Sequence, residues 1–105
     1  MPIKKGLRNI VFERDSFTCI FCEQPASECH HVVRSSQGGR NHPQNLVSVC
    51  RMHHLMAHGE RVHWLGNVSW YNDATPGEWA QECFEVACDY LVGYYGAGLR
   101  MVGGL

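Results

Sequence analysis

Cys19-Ile20-Phe21-Cys22 and Cys50-Arg51-Met52-His53-His54-Leu55-Met56-Ala57-His58 are the stretches whose reading decides the fold. Each opens with two metal-binding side chains three positions apart, and residues 23–49 lie between the pairs. A structural zinc site takes four nitrogen or sulfur ligands in a tetrahedron, and two tight pairs joined by a folded segment supply them. Cys19, Cys22, Cys50 and His53 are therefore expected to hold a structural Zn²⁺. A Cys2His2 finger built from Cys19, Cys22, His54 and His58 is ruled out, because the interval from Cys22 to His54 is far too long for that module.

A second set of ligand types interleaves with the first. His54 and His58 are spaced i, i+4, so on a helix they share one face and can share an ion. Zinc proteases use the same spacing but need Glu after the first His as general base. Leu55 stands there, which argues against a protease. Upstream, His30-His31 sits in an apolar run with β-branched residues at its end, so Cys29–Val33 is expected to be a strand. Neighbouring strand residues face opposite sides. One of the two rings can therefore ligate an ion while the other works from a different direction. Residues 34–44 read as a loop around Gly38-Gly39, Leu46–Val49 as a second strand, and Met52–His58 as a helix stopped by Gly59.

Working outward, Gly6–Arg14 is expected to be a short helix with Leu7, Ile10 and Val11 on its apolar stripe and Arg8 and Arg14 off it. Val62, Trp64, Leu65, Val68, Trp70 and Tyr71 leave the segment from Glu60 to Asn72 open between short strands and irregular packing. Thr75-Pro76-Gly77-Glu78 is a helix start: Thr75 can accept from the Glu78 amide, Glu78 can reach back, and Pro76 fits the first turn. Trp79, Cys83, Val86, Ala87, Tyr90, Leu91 and Tyr94 continue it as an amphipathic helix ending near Gly93 to Gly98, and 99–105 reads as a loose tail.

With 105 residues the chain has the length of one domain. A metal would help so small a core stay folded. No apolar run is long enough to span a bilayer and the N-terminus has no signal-peptide pattern, so the expected compartment is intracellular and cytoplasmic, as for a bacterial- or phage-type protein, with no membrane partner. In a reducing compartment six cysteines argue for metal ligation over disulfides. Cys29, Cys83 and Cys88 are left over as small buried thiols. The net charge is −1, but residues 1–61 hold eight Lys and Arg against five acids, and residues 62–105 one Arg against five acids. A basic first half and an acidic second half suggest a polyanion partner for the first.

The ordered string Arg14-Asp15, Cys19-x-x-Cys22, His30-His31, Gly38-Gly39, Asn45-Leu46, Cys50-x-x-His53-His54-x-x-x-His58 resembles the HNH endonucleases of the zinc-clamped, restriction- and phage-associated kind. The resemblance covers about residues 8–58 and departs from many relatives at His53, where they carry a fourth Cys. It implies an α+β fold, a ββα-metal or His-Me finger domain, here with an N-terminal helix and a C-terminal extension over 59–105. It implies hydrolysis of DNA phosphodiester bonds. By resemblance His30, His54 and His58 hold a catalytic divalent ion, His31 is the general base, and Asn45 pins the loop that orients His31. An ordinary imidazole titrates at about pH 6.5, so it can take a proton from water near neutrality.

A ligand set made only of imidazoles is softer than the carboxylates magnesium prefers, so Mn²⁺, Co²⁺, Ni²⁺ and Zn²⁺ are candidates beside Mg²⁺. Arg34, Arg40 and Arg51 flank the site as candidate phosphate contacts. His42 and His63 lie off both ligand sets and read as surface or packing histidines. DNA is the expected partner, and a targeting or packaging protein is a candidate second one, since no separate specificity module is evident. The competing function is a non-catalytic, zinc-stapled DNA-binding module, which would have no use for His30, His31, Asn45, His54 and His58 together. Ribonuclease activity is a third class, because the chemistry does not separate the sugars.

Overall fold

The computed structural model describes residues 3–60 and 74–103. The chain runs α1 (Lys5–Arg14), β1 (Glu28–His31), β2 (Leu46–Val49), α2 (Arg51–Ala57) and α3 (Pro76–Tyr95), with 3-10 turns at Ser35–Gln37, Pro43–Asn45 and Gly96–Gly98. This is a small α+β fold, a two-stranded antiparallel sheet flanked by helices. The segment 61–73, with its aromatic residues and His63, lies outside the described residues. No described helix is long and apolar enough to cross a membrane.

The sheet is short because its continuation is taken over by a side chain. β1 and β2 pair with His30 opposite Val47 and His31 opposite Leu46. The ladder then closes with Val32 N–H donating to the Asn45 carbonyl. One residue later the Val33 N–H meets the Asn45 side chain instead of backbone. β1 therefore stops at His31, short of the Val33 its composition suggests. β2 is buried at all four positions, so neither of its faces meets water, and it reads as an apolar core strand.

α1 closes over this sheet through Val11, which packs with Cys29 and Leu46. Leu7 and Phe12 border that cluster, whereas Ile10 is 55% exposed, so the buried line runs 7–11 and excludes Ile10. Arg14 is also not a solvent residue. Its guanidinium pairs with Asp15 at 2.7 Å and donates to the Pro43 and Leu46 carbonyls and the Tyr95 hydroxyl. Asp15 in turn accepts from the Ser48 amide and the Tyr90 hydroxyl. Burial alone would raise the Asp15 pKa; the hydrogen bonds from Arg14, Tyr90 and Ser48 overcome it and hold the carboxyl below its usual range. One buried ion pair thus ties α1, β2 and α3 together.

α3 begins with a complete capping box, Glu78 N–H to Thr75 Oγ1 and Thr75 N–H to Glu78 Oε1, with Pro76 in the first turn. Its buried line is Trp79, Cys83, Ala87 and Leu91, a strict four-residue repeat. Trp79 and Cys83 pack on Met56 of α2, while Ala87 and Leu91 join Cys19, Val32, Val47 and Val49. Val86 and Tyr94 fall outside that line and are exposed. Cys29 and Cys83 are buried thiols, but Cys88 is only half-buried.

The tail is not loose over residues 99–103. Val102 bridges to Gly39, Arg40 N–H donates to the Met101 carbonyl, and Gly103 N–H donates to the Gly38 carbonyl. The loop 38–44, whose exposed edge had backbone groups to satisfy, supplies the partners that a sequence reading of the tail alone does not reveal. Gly39 is confined there: a Cβ on it would sit 1.7 Å from the Val33 carbonyl oxygen.

Candidate metal centres and active site

The first centre is built from a turn and a helix start. The Phe21 N–H points at Cys19 Sγ at 3.4 Å, and Glu23 takes a left-handed φ of 63° to close the turn. Such amide-to-sulfur contacts aim both thiols of a CxxC turn at one point. Across from it Cys50 is the N-cap of α2, its sulfur accepting from the His53 N–H. Cys22 and Cys50 sulfurs are 3.8 Å apart, and Cys50 Sγ is 3.2 Å from His53 Nδ1. The four ligand atoms lie within 4.8 Å of one another, and the His53 ring is braced by stacking on Phe21.

This is a Cys3His cluster compatible with a structural metal such as zinc. Burial pushes the Cys19 thiol up to about 12, against the backbone N–H groups of Cys50 and Phe21, which pull it down. Such a thiol is a poor anion by itself, and a cation in its midst reverses that preference.

The second centre lies where β1 faces α2. His30, His54 and His58 each place a ring nitrogen within the same 4.8 Å limit. Their ring centroids are 4.9 to 5.2 Å apart. The Nε2 atoms of His54 and His58 approach to 3.2 Å, as the i, i+4 spacing requires. His30 Nδ1 is buried and has no hydrogen-bond partner among the described residues. Burial, reinforced by the nearby His54 and His58 rings, lowers the His30 pKa to about 3. A buried ring with an orphaned nitrogen beside two further imidazoles is a donor set that could hold a divalent cation.

Two residues not singled out by the sequence reading hold the histidines in place. Glu28 Oε1 hydrogen-bonds His54 Nδ1, and its other oxygen accepts from Arg51 at 2.9 Å. The hydrogen bond with His54, and after it the one from Arg51, hold the Glu28 carboxyl below its usual range. A carboxylate on Nδ1 selects the tautomer whose Nε2 lone pair is free for an ion. Glu28 lies two positions before His30 and so on the same face of β1, a period-two signal that could have found it. The other is Asn41, whose Oδ1 lies 3.1 Å from His31 Nε2. An amide oxygen only accepts, so Nε2 of a neutral His31 carries the hydrogen and Nδ1 carries the lone pair. No local pattern marks Asn41; the loop fold alone delivers it.

Asn45 is fully buried and spans the loop. Its Oδ1 accepts from Val33 N–H at 2.8 Å, and its Nδ2 donates to the Val33 and Arg40 carbonyls, both at 2.9 Å. The three flanking arginines differ. Arg51 is engaged by Glu28, Arg40 donates to the Arg100 carbonyl, and Arg34 lines the clefts beside His31. His42 caps the turn before Asn45, its Nδ1 accepting from Gln44 N–H.

A knuckle, a two-stranded sheet and a helix gathered around two adjacent ligand clusters define a ββα-metal domain. Residues 19–60 match the family model of the HNH endonucleases, and this segment is an HNH-type domain. The family points to nuclease or DNA-binding function with DNA as the polymer. α1 and α3 lie outside the matched segment. No curated protein and no solved structure matches the chain significantly.

Proposed function

We propose that the chain is a metal-dependent DNA endonuclease that hydrolyses phosphodiester bonds, with His31 as general base. The observation that carries this reading is the adjacency of a three-imidazole cluster and a separately oriented histidine, all in an HNH domain. A zinc-stapled binding module would need the Cys3His cluster and nothing more.

His30, His54 and His58 would hold the divalent ion. When bound, it supplies positive charge to the phosphate oxygens and the departing oxygen. His31 accepts at Nδ1 the proton of a water attacking phosphorus. The new P–O bond forms as the bond to the leaving sugar oxygen breaks, and that oxygen takes a proton from solvent. Asn41 keeps the ring in the accepting tautomer. Asn45 is a positioning residue: by clamping Val33 to Arg40 it fixes the loop that carries Asn41, and through it the ring of His31. Glu28 does the same for His54.

Supercoiled plasmid incubated with divalent ions tests the reading, with nicked and linear products scored on one gel. Wild type should cleave, and His31→Ala should bind DNA unchanged while cleavage falls by about 10²-fold or more. Undiminished cleavage by His31→Ala would remove the general base from the mechanism; no cleavage by wild type with any ion would favour the binding module.

A further inference from the structure

Two clefts open on the imidazole cluster; Arg34 lines both, and only the second has Arg8 as well. One, about 450 Å³, lies against the first turns of α3, with Gln37, Gln81 and Phe84 on its walls. α3 carries exposed Glu82, Glu85 and Asp89 along its length. The other cleft, about 440 Å³, lies between α1 and the turn after β1 and is lined by Arg8, His31, Arg34, Ser35, His54 and His58. Arg8 and Arg34 are exposed, and among the described residues neither guanidinium has a carboxylate or hydrogen-bond partner. This separates them from Arg14, Arg40 and Arg51, whose guanidiniums are all engaged. Lys4 and Lys5 stand at the start of the same helix as Arg8.

The geometry points to this α1-side cleft as the seat of the DNA phosphates flanking the scissile one, with Arg8 and Arg34 as its two cationic walls. It rests on the nuclease reading above, and Arg8 lies outside the segment that the HNH family model matches. A guanidinium grips a phosphate through two parallel N–H donors, and an unpaired one need break no ion pair to do so. The acidic α3 repels a polyanion from the opposite side, so the strand crosses the site over α1. Arg34 stands at the fork of both clefts, whereas Arg8 belongs to the α1 side alone, which makes Arg8 the discriminating residue.

The test uses the full zinc-loaded chain in a His31→Ala background, with a fluorescein-labelled duplex and no added divalent ion. Binding is read by anisotropy from about 50 to 200 mM salt. Arg8→Gln is expected to bind roughly fivefold more weakly, with the slope of log affinity against log salt reduced by about one. Arg34→Gln should behave likewise, and Arg100→Gln, at an exposed cation that lines neither cleft, should match its parent. In the cleaving background Arg8→Gln should raise KM, with an unchanged melting midpoint because the side chain is exposed.

Parental affinity and slope in Arg8→Gln would overturn the assignment, as would an equal loss in Arg100→Gln. The two readings fail separately. Wild-type cleavage with an indifferent Arg8→Gln sinks the cleft and leaves the nuclease. A wild-type chain that fails to cleave with every ion tried sinks the nuclease, and the Arg8 salt slope still decides the cleft.

Discussion

Replacing Asn45 should cost more than a surface polar residue ever does, and the amount can be worked from its contacts. The side chain is fully buried and makes three hydrogen bonds of 2.8 to 2.9 Å, all to backbone. Gly39 closes over it, since a Cβ there would come within 2.8 Å of Nδ2, so water has little room to replace the lost partner. At about 1 kcal/mol net for each bond, Asn45→Ala should lose about 3 kcal/mol. That is a large share of the roughly 5–15 kcal/mol that holds a domain of this size.

Asn45→Asp is the sharper variant. It keeps the acceptor for Val33 N–H but sets an oxygen against the Val33 and Arg40 carbonyls. It should be at least as unstable as Asn45→Ala at neutral pH. Its deficit should narrow as acid protonates the new carboxyl, because only the protonated form can donate. Urea unfolding at constant zinc reads the midpoint and slope. Cleavage measured where each variant is folded should also fall, since the loop carrying Asn41 is released. Asn45→Ala within about 1 kcal/mol of wild type would refute the account, since one ordinary hydrogen bond would then suffice for it. An Asn45→Asp chain as stable as wild type at neutral pH would do the same.

Asp15 sets an acid limit: its folded pKa lies below the unfolded value, so its contribution is complete above about pH 4 and is lost as pH falls through the folded pKa. Asp15→Asn strands the Arg14 guanidinium and should cost about 3 kcal/mol at pH 7, a gap in thermal midpoint that closes toward low pH; a pH-independent gap would contradict this. Stringent chelation, or Cys50→Ser, should abolish the cooperative melt, because the Cys3His cluster joins the knuckle to α2; an unchanged melt would show the cluster to be dispensable. Across a panel of ions, Mn²⁺, Co²⁺ or Ni²⁺ should support plasmid cleavage at least as well as Mg²⁺, and activity with Mg²⁺ alone would break the all-imidazole ligand assignment.

Chemistry that demands particular residue types at fixed short spacing was legible along the chain. Two thiols around a knuckle, two imidazoles one helical turn apart and a Thr-Pro-Gly-Glu helix start each declare themselves locally, because ligand geometry and capping act within four residues. The exposure of Ile10, Val86 and Tyr94 was not legible, since each fits its helix's apolar spacing and only the packed neighbours choose which line is buried.

The sequence by itself determined which side chains could bind metal and which elements would carry them. Tertiary structure alone decided their partners: Asn41 for His31, Glu28 for His54, Tyr95 for Arg14, and the 38–44 loop for residues 99–103. Each of those pairs is separated by ten residues or more, and nothing local distinguishes the one polar group that meets a given ring from the many that do not. The register of the sheet and the docking of α3 make that choice.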